Sequence, residues 1–172
     1  MTAKAVAFIA RSGTGKTTLI EKILPELAAR GYRAGAIKHD AHRFDIDHPG
    51  KDSHRLTVAG AQTMVITSAE KLALVKKHGG SPPAEELLRD YFPDVDIVLV
   101  EGFSQSGLPK IEIHRKEKNA PLICRGENPD PALIAVASDE PLEVDVPVLE
   151  LSAPRRIADF IEENILKRPE FP

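Results

Sequence analysis

Cysteine occurs once in the 172 residues, as Cys124, and tryptophan does not occur at all. A lone thiol excludes an internal disulfide and fits a reducing compartment, so the cytoplasm is the expected location. Aromatic residues make up 5% of the chain, too few for a module that stacks bases on rings. Charge of one sign is also missing, since 23 Lys and Arg face 26 Asp and Glu for a formal net charge of −3. That balance argues against a polyanion-coating protein, and no nucleic-acid partner is expected. No apolar run approaches the roughly 18–20 residues of a membrane span. The longest near the start, Ala5–Ala10, is also too short for a secretory signal. What is present, 42% hydrophobic and 28% charged residues, is ordinary globular composition. A chain of this length fills one core, so a single domain over 1–172 is the expectation.

Val6-Ala-Phe-Ile-Ala10 is continuously apolar, as a strand covered on both faces of a parallel sheet must be. Over Thr17–Arg30, Leu19, Ile20, Ile23, Leu24, Leu27 and Ala28 recur at helical spacing, and Gly31 stands where a helix ends. Pro25 falls inside that helix and is expected to bend it. A second short strand, Arg33–Lys38, completes a strand-helix-strand unit. Residues 39–52 read as a polar loop, Ser53–Ala59 as a short helix, and Gln62–Thr67 with Leu72–Lys76 as a hairpin. Pro83–Tyr91 reads as a helix and Asp96–Glu101 as the strongest strand. Strands at Lys110–His114 and Ala132–Ala137 follow, then an amphipathic helix at Arg155–Leu166. The pattern, together with the Gly13-Thr-Gly-Lys-Thr17 turn after the first strand, predicts an α/β, P-loop NTPase-type three-layer fold with a mostly parallel central sheet and an added antiparallel hairpin.

Between the first strand and first helix lies Arg11-Ser-Gly-Thr-Gly-Lys-Thr-Thr18. Small residues there let successive backbone N–H groups turn inward as an anion nest, and the helix N-terminus adds partial positive charge. Arg11, Ser12, Gly13, Thr14 and Gly15 form the cradle, and Lys16 can reach the outer phosphates. Thr17 offers a hydroxyl to Mg²⁺, and Thr18 one to an inner phosphate. Ala10 replaces the first glycine of the strict motif, while Gly13 and Gly15 are both kept. The acidic partner should end a neighbouring parallel strand, where open α/β sheets bind ligands. Glu101 meets that condition, to hold Mg²⁺ directly or through water, or to orient the attacking water. Asp96, at the other end of that strand, reads as a solvated terminal residue.

The segment 38–54 carries four of the six histidines and four aspartates. Asp40 is placed to act as general base or to contact a metal-bound water. His39 and His42 could contact phosphate or, with Asp45 and Asp47, bind a transition metal, although the spacing matches no closed zinc site.

Together, Ala10–Leu19, Ile37-Lys-His-Asp-x-His42, Asp47-x-Pro-Gly-Lys-Asp52, Ala59-Gly-Ala61, Val100-Glu-Gly-Phe103 and Pro109-Lys-Ile111 resemble the molybdopterin-guanine dinucleotide biosynthesis protein B (MobB) family. The resemblance implies a GTP-binding protein with weak GTPase activity and a homodimer. It also implies assistance to the guanylyltransferase that attaches GMP to molybdopterin. The Asn-Lys-x-Asp string that usually reads guanine is absent. Asp139, closing Ala132–Asp139, could accept from the guanine N1–H and amino group, or Ser-Asp there could be an ordinary turn. Lys110, His114, Arg115, Lys116 and Lys118 form a basic strip, readable as an anion contact or as a solvated strand edge. Cys124 reads as a buried structural cysteine. A metal-insertion chaperone using 39–54, or a small-molecule kinase, are the rival readings; no arginine-bearing lid supports the kinase.

Overall fold

Along the first strand, β1 (Lys4–Ile9), Val6 and Phe8 enter one apolar cluster while Ala5, Ala7 and Ile9 enter another. Both faces of the sheet are therefore covered, which is why the run is apolar without alternation. This computed structural model describes residues 3–39, 44–127 and 129–167. They divide into two compact units, residues 3–39 with 83–167, and residues 44–82.

The larger unit holds α1 (Lys16–Ala29), β2 (Ala34–Lys38), β5 (Ile97–Glu101), β6 (Lys110–His114), β7 (Leu133–Ser138), β8 (Val148–Glu150) and α4 (Pro154–Ile161). Its six strands run parallel in the order β2-β5-β1-β6-β7-β8. One face packs Ile97, Leu99, Ile111 and Ile113 against Ile23 and Leu27 of α1 and Ile157 and Ile161 of α4. The other packs Val98 and Val100 against Leu88 of α3 (Ala84–Tyr91) and against Cys124. Helices and connections on both sides make three layers, as the sequence predicts. The strand-helix-strand unit is present with its two strands parallel, and β5 lies between β1 and β2. Ile97–Val100 are fully buried and take the interior, whereas Ala34, Gly35 and Lys38 suit an edge.

Helix α1 closes on Gly31 at φ 86°, whose N–H donates to the Ala28 carbonyl while that of Tyr32 donates to Leu27. At the same corner Arg30 pairs with Asp159 (2.7 Å) and Glu162 (2.9 Å), and the Tyr32 hydroxyl donates to Glu162. Lys167, with Arg30 and Tyr32, holds the Glu162 carboxyl down to about 2. A depressed carboxylate stabilises above its unfolded value, ordinarily about 4.3, and that contribution is lost as pH falls toward the folded one. Acid titration of Glu162→Gln by circular dichroism is therefore expected to show a smaller loss of stability between pH 4.5 and 2 than wild type. Equal acid slopes would contradict the pairing.

Asp96 is not merely solvated. It accepts the Arg33 backbone N–H at 2.7 Å and pairs with its guanidinium, which lowers its pKa and ties the start of β5 to that of β2.

The smaller unit contains α2 (Asp52–Val58) and the antiparallel hairpin β3 (Thr63–Thr67) with β4 (Leu72–Lys76), a sheet of its own. Asp47 accepts from the His48 N–H and the Ser53 hydroxyl, and Lys77 donates to the Thr57 carbonyl. Met64 is its buried apolar residue, while Phe44, Ile46, Leu56, Val58, Ile66 and Leu72 are more than half exposed.

Candidate functional site

The parallel register sets Phe8 of β1 beside Glu101 of β5. The loop leaving β1 and the end of β5 consequently share the carboxyl edge of the sheet, where such folds bind ligands. Gly13 (φ 70°) and Gly15 (φ 91°) take left-handed backbone conformations, which let the chain curl before α1 begins. The Thr14 side chain is buried and donates to the Arg11 carbonyl at 2.6 Å, tying the loop across itself. Helix α1 starts with the Leu19 N–H on the Gly15 carbonyl, and its first-turn N–H groups face the loop. The Lys16 ammonium folds back onto the Ala10 carbonyl at 3.0 Å and that of Arg11 at 3.4 Å.

Thr17 and Glu101, 84 positions apart, meet directly: the threonine hydroxyl donates to the carboxylate at 2.7 Å. The other Glu101 oxygen accepts from Lys38 of β2 at 3.2 Å. Glu101 is thus oriented by one neighbour on α1 and one on β2, its side chain only 14% exposed. Gly102 follows at φ 97°, and a Cβ there would lie 3.2 Å from the His39 carbonyl, so the close approach of the β5 and β2 ends requires glycine. His39 packs against Phe103 with ring centroids 4.3 Å apart and the ring planes tilted by 42°. A hydroxyl and a carboxylate presented together are hard oxygen donors of the kind Mg²⁺ takes beside phosphate, so the residues present fit that ion.

Asp139 stands just past β7 at the same sheet edge, accepting the Lys116 N–H at 2.8 Å with the Arg115 guanidinium 3.5 Å away. Ser12 and Thr18 are exposed on the loop and the first turn. Asp40 and His42 lie outside the described residues. Among the described residues, no three His, Cys, Asp or Glu side chains are grouped to hold a metal. Asp45 and Asp47 instead bond to nearby loop groups.

The basic strip is not a solvated edge. Strand β6 lies inside the sheet between β1 and β7, and Lys110 is 2% exposed. Its ammonium bonds to the Asp130 carboxylate and to the Ser106 carbonyl. Glu112, two residues on and equally buried, accepts the N–H groups of Ile123 (2.6 Å) and Cys124 (2.8 Å). These two charged side chains satisfy backbone groups of the irregular connections that cover this face. Cys124 is buried as expected, and burial pushes its thiol up to about 12. Two members of the strip reach the loop: Arg115 donates from Nε to the Thr14 carbonyl at 2.8 Å, and the Lys118 ammonium lies beside Gly13. The sequence signal for Arg115 was position: it follows a strand that ends beside the phosphate loop.

The sequence model of the family MobB, molybdopterin guanine dinucleotide synthesis protein B, matches residues 5–139. The chain belongs to this family. The MobB assignment extends over nearly the full length. A molybdopterin-guanine dinucleotide biosynthesis adapter protein of Escherichia coli (strain K12) is 40% identical over 174 residues, covering 95% of this chain and 94% of the relative. Its namesake from Haemophilus influenzae is 41% identical over 88% of this chain and 83% of the relative. A crystal structure of molybdopterin-guanine biosynthesis protein B superposes with a TM-score of 0.68 at 28% identity, over 92% of this chain and 98% of that one. The MobB fold is thus a P-loop NTPase fold here as well.

Proposed function

We propose that this chain is a GTP-binding adapter in molybdopterin guanine dinucleotide synthesis, assisting the guanylyltransferase that attaches GMP to molybdopterin. The observation that carries this reading is the 2.7 Å contact of Thr17 with Glu101, made beside the glycine loop. Loop amides from Gly13 to Thr17 and the α1 N-terminus bind the phosphates. Lys16 exchanges its two carbonyl partners for phosphate oxygens, and Thr18 adds a hydroxyl. Thr17 and Glu101 hold Mg²⁺, directly or through water, and the ion neutralises phosphate charge when bound. Glu101 and Asp40 orient the attacking water, and hydrolysis is at most slow. Asp139, on the sheet edge past β7, is the carboxylate available to guanine. The protein works in the cytoplasm as a homodimer.

The adapter role is tested by adding the purified chain to its guanylyltransferase with GTP and molybdopterin. A several-fold higher yield of the dinucleotide is expected, lost with Lys16→Ala. No change on adding the wild-type chain would contradict the role.

A further inference from the structure

We propose that Arg115 and Lys118 form a second cationic arm of the phosphate site, one that favours a nucleoside triphosphate over the diphosphate. The inference rests on the nucleotide-binding reading above and concerns side chains that lie outside the glycine loop and its helix.

The register of β6 against β1 pairs Glu112 with Ile9, so Arg115 emerges next to the loop. Its Nε bonds to the Thr14 carbonyl at 2.8 Å, and a terminal nitrogen lies 3.4 Å from where a Cβ on Gly15 would sit. The Lys118 ammonium lies 3.3 Å from the corresponding point on Gly13. The two cations thus lie beside the two loop glycines, on the side where their Cβ atoms would project. They are held there by a tight turn. The N–H of Lys118 bonds to the Arg115 carbonyl and that of Asn119 to Lys116, and Asn119 at φ 42° reverses the chain. The returning chain is tied down again where the Arg11 guanidinium donates to the Pro121 carbonyl at 3.3 Å. Between this strap and the loop remains a cavity of about 10 Å³, lined by Arg11, Thr14, Arg115 and Lys118 among others. That is room for about one water, so the strap seats directly on the loop.

The charges do not balance within the protein. Arg11, Lys16, Arg115 and Lys118 converge on one loop, against Asp139, 3.5 Å from Arg115, and Glu101, which accepts from Thr17 and is itself paired with Lys38. Lys118 has no ion pair among the described residues. His114 faces Glu140, and the Glu112 carboxylate is taken up by two backbone N–H groups, so neither offsets the cluster. Like charges gathered this closely repel unless an anion sits among them. A triphosphate carries about one more negative charge than a diphosphate, so each added cation strengthens binding of the triphosphate more.

The test compares Mg-GTP and Mg-GDP dissociation constants for wild type, Lys118→Ala, Arg115→Gln and Lys16→Ala, each over a salt series. Glutamine at 115 keeps an N–H donor for the Thr14 carbonyl, and Lys118 holds no ion pair that alanine would break. Each arm variant is expected to weaken GTP about tenfold and GDP about threefold or less, with a shallower salt dependence. An unchanged GTP-to-GDP ratio in both arm variants, with Lys16→Ala still abolishing binding, would overturn the arm and leave the site standing. Undiminished binding by Lys16→Ala would instead overturn the phosphate site itself.

Discussion

Lys16→Ala is expected to abolish measurable triphosphate binding while leaving the protein folded. Among the described residues the ammonium bonds to the carbonyls of Ala10 and Arg11, both close to water and both able to be hydrated. Losing those bonds costs about 1 kcal/mol or less. On two outer phosphates the same group makes two charge-assisted bonds worth about 1.5–3 kcal/mol each, together roughly two to four orders of magnitude in affinity. Calorimetric titration reads the affinity, and a thermal melt of the same sample reads the fold. A variant that melts like wild type yet binds GTP equally well would remove Lys16 from the site.

The second large effect is one of stability. Lys110→Ala is expected to destabilise the protein by about 3 kcal/mol, because it leaves the Asp130 carboxylate without the ammonium that lowers its pKa. Asp130 keeps a side-chain exposure of 24%, which places the effect at the lower end of the range for breaking buried pairs. For a chain of this size that is a fall in Tm of about 6–12 °C. The double variant Lys110→Met/Asp130→Asn is expected to melt above Lys110→Ala, since no buried ion is then left unpaired. A Tm within a degree or two of wild type for Lys110→Ala would show that the pair does not hold the 121–131 connection to the sheet.

These two lysines also mark where the sequence is legible and where it is not. Lys16 is readable because its neighbours Gly13, Gly15 and Thr17 impose one local geometry whatever the rest of the chain does. Glu101 is readable for a related reason: four buried aliphatics before it define a strand, and a strand's last residue has one place to be. Lys110 is not readable, because a charged residue in a strand looks solvated until its partner is known. That partner, Asp130, is 20 residues away in an irregular connection. Sheet order is hidden for the same reason, since nothing local in β2 says that β5 will come between it and β1. Strand β8 is three residues long with exposed Val148 and Glu150, and only the free edge of β7 makes it a strand. Arg115 lies between these cases. Its charge was visible, but its reach to Thr14 depends on β6 pairing with β1.

The most direct test of the nucleotide site is a calorimetric titration of the wild-type chain with GTP and with ATP, each with and without Mg²⁺. One saturable site per chain, tighter for GTP than for ATP and weakened when Mg²⁺ is removed, is the predicted result. No binding of either nucleotide, or equal affinity for both, would contradict a GTP-binding adapter.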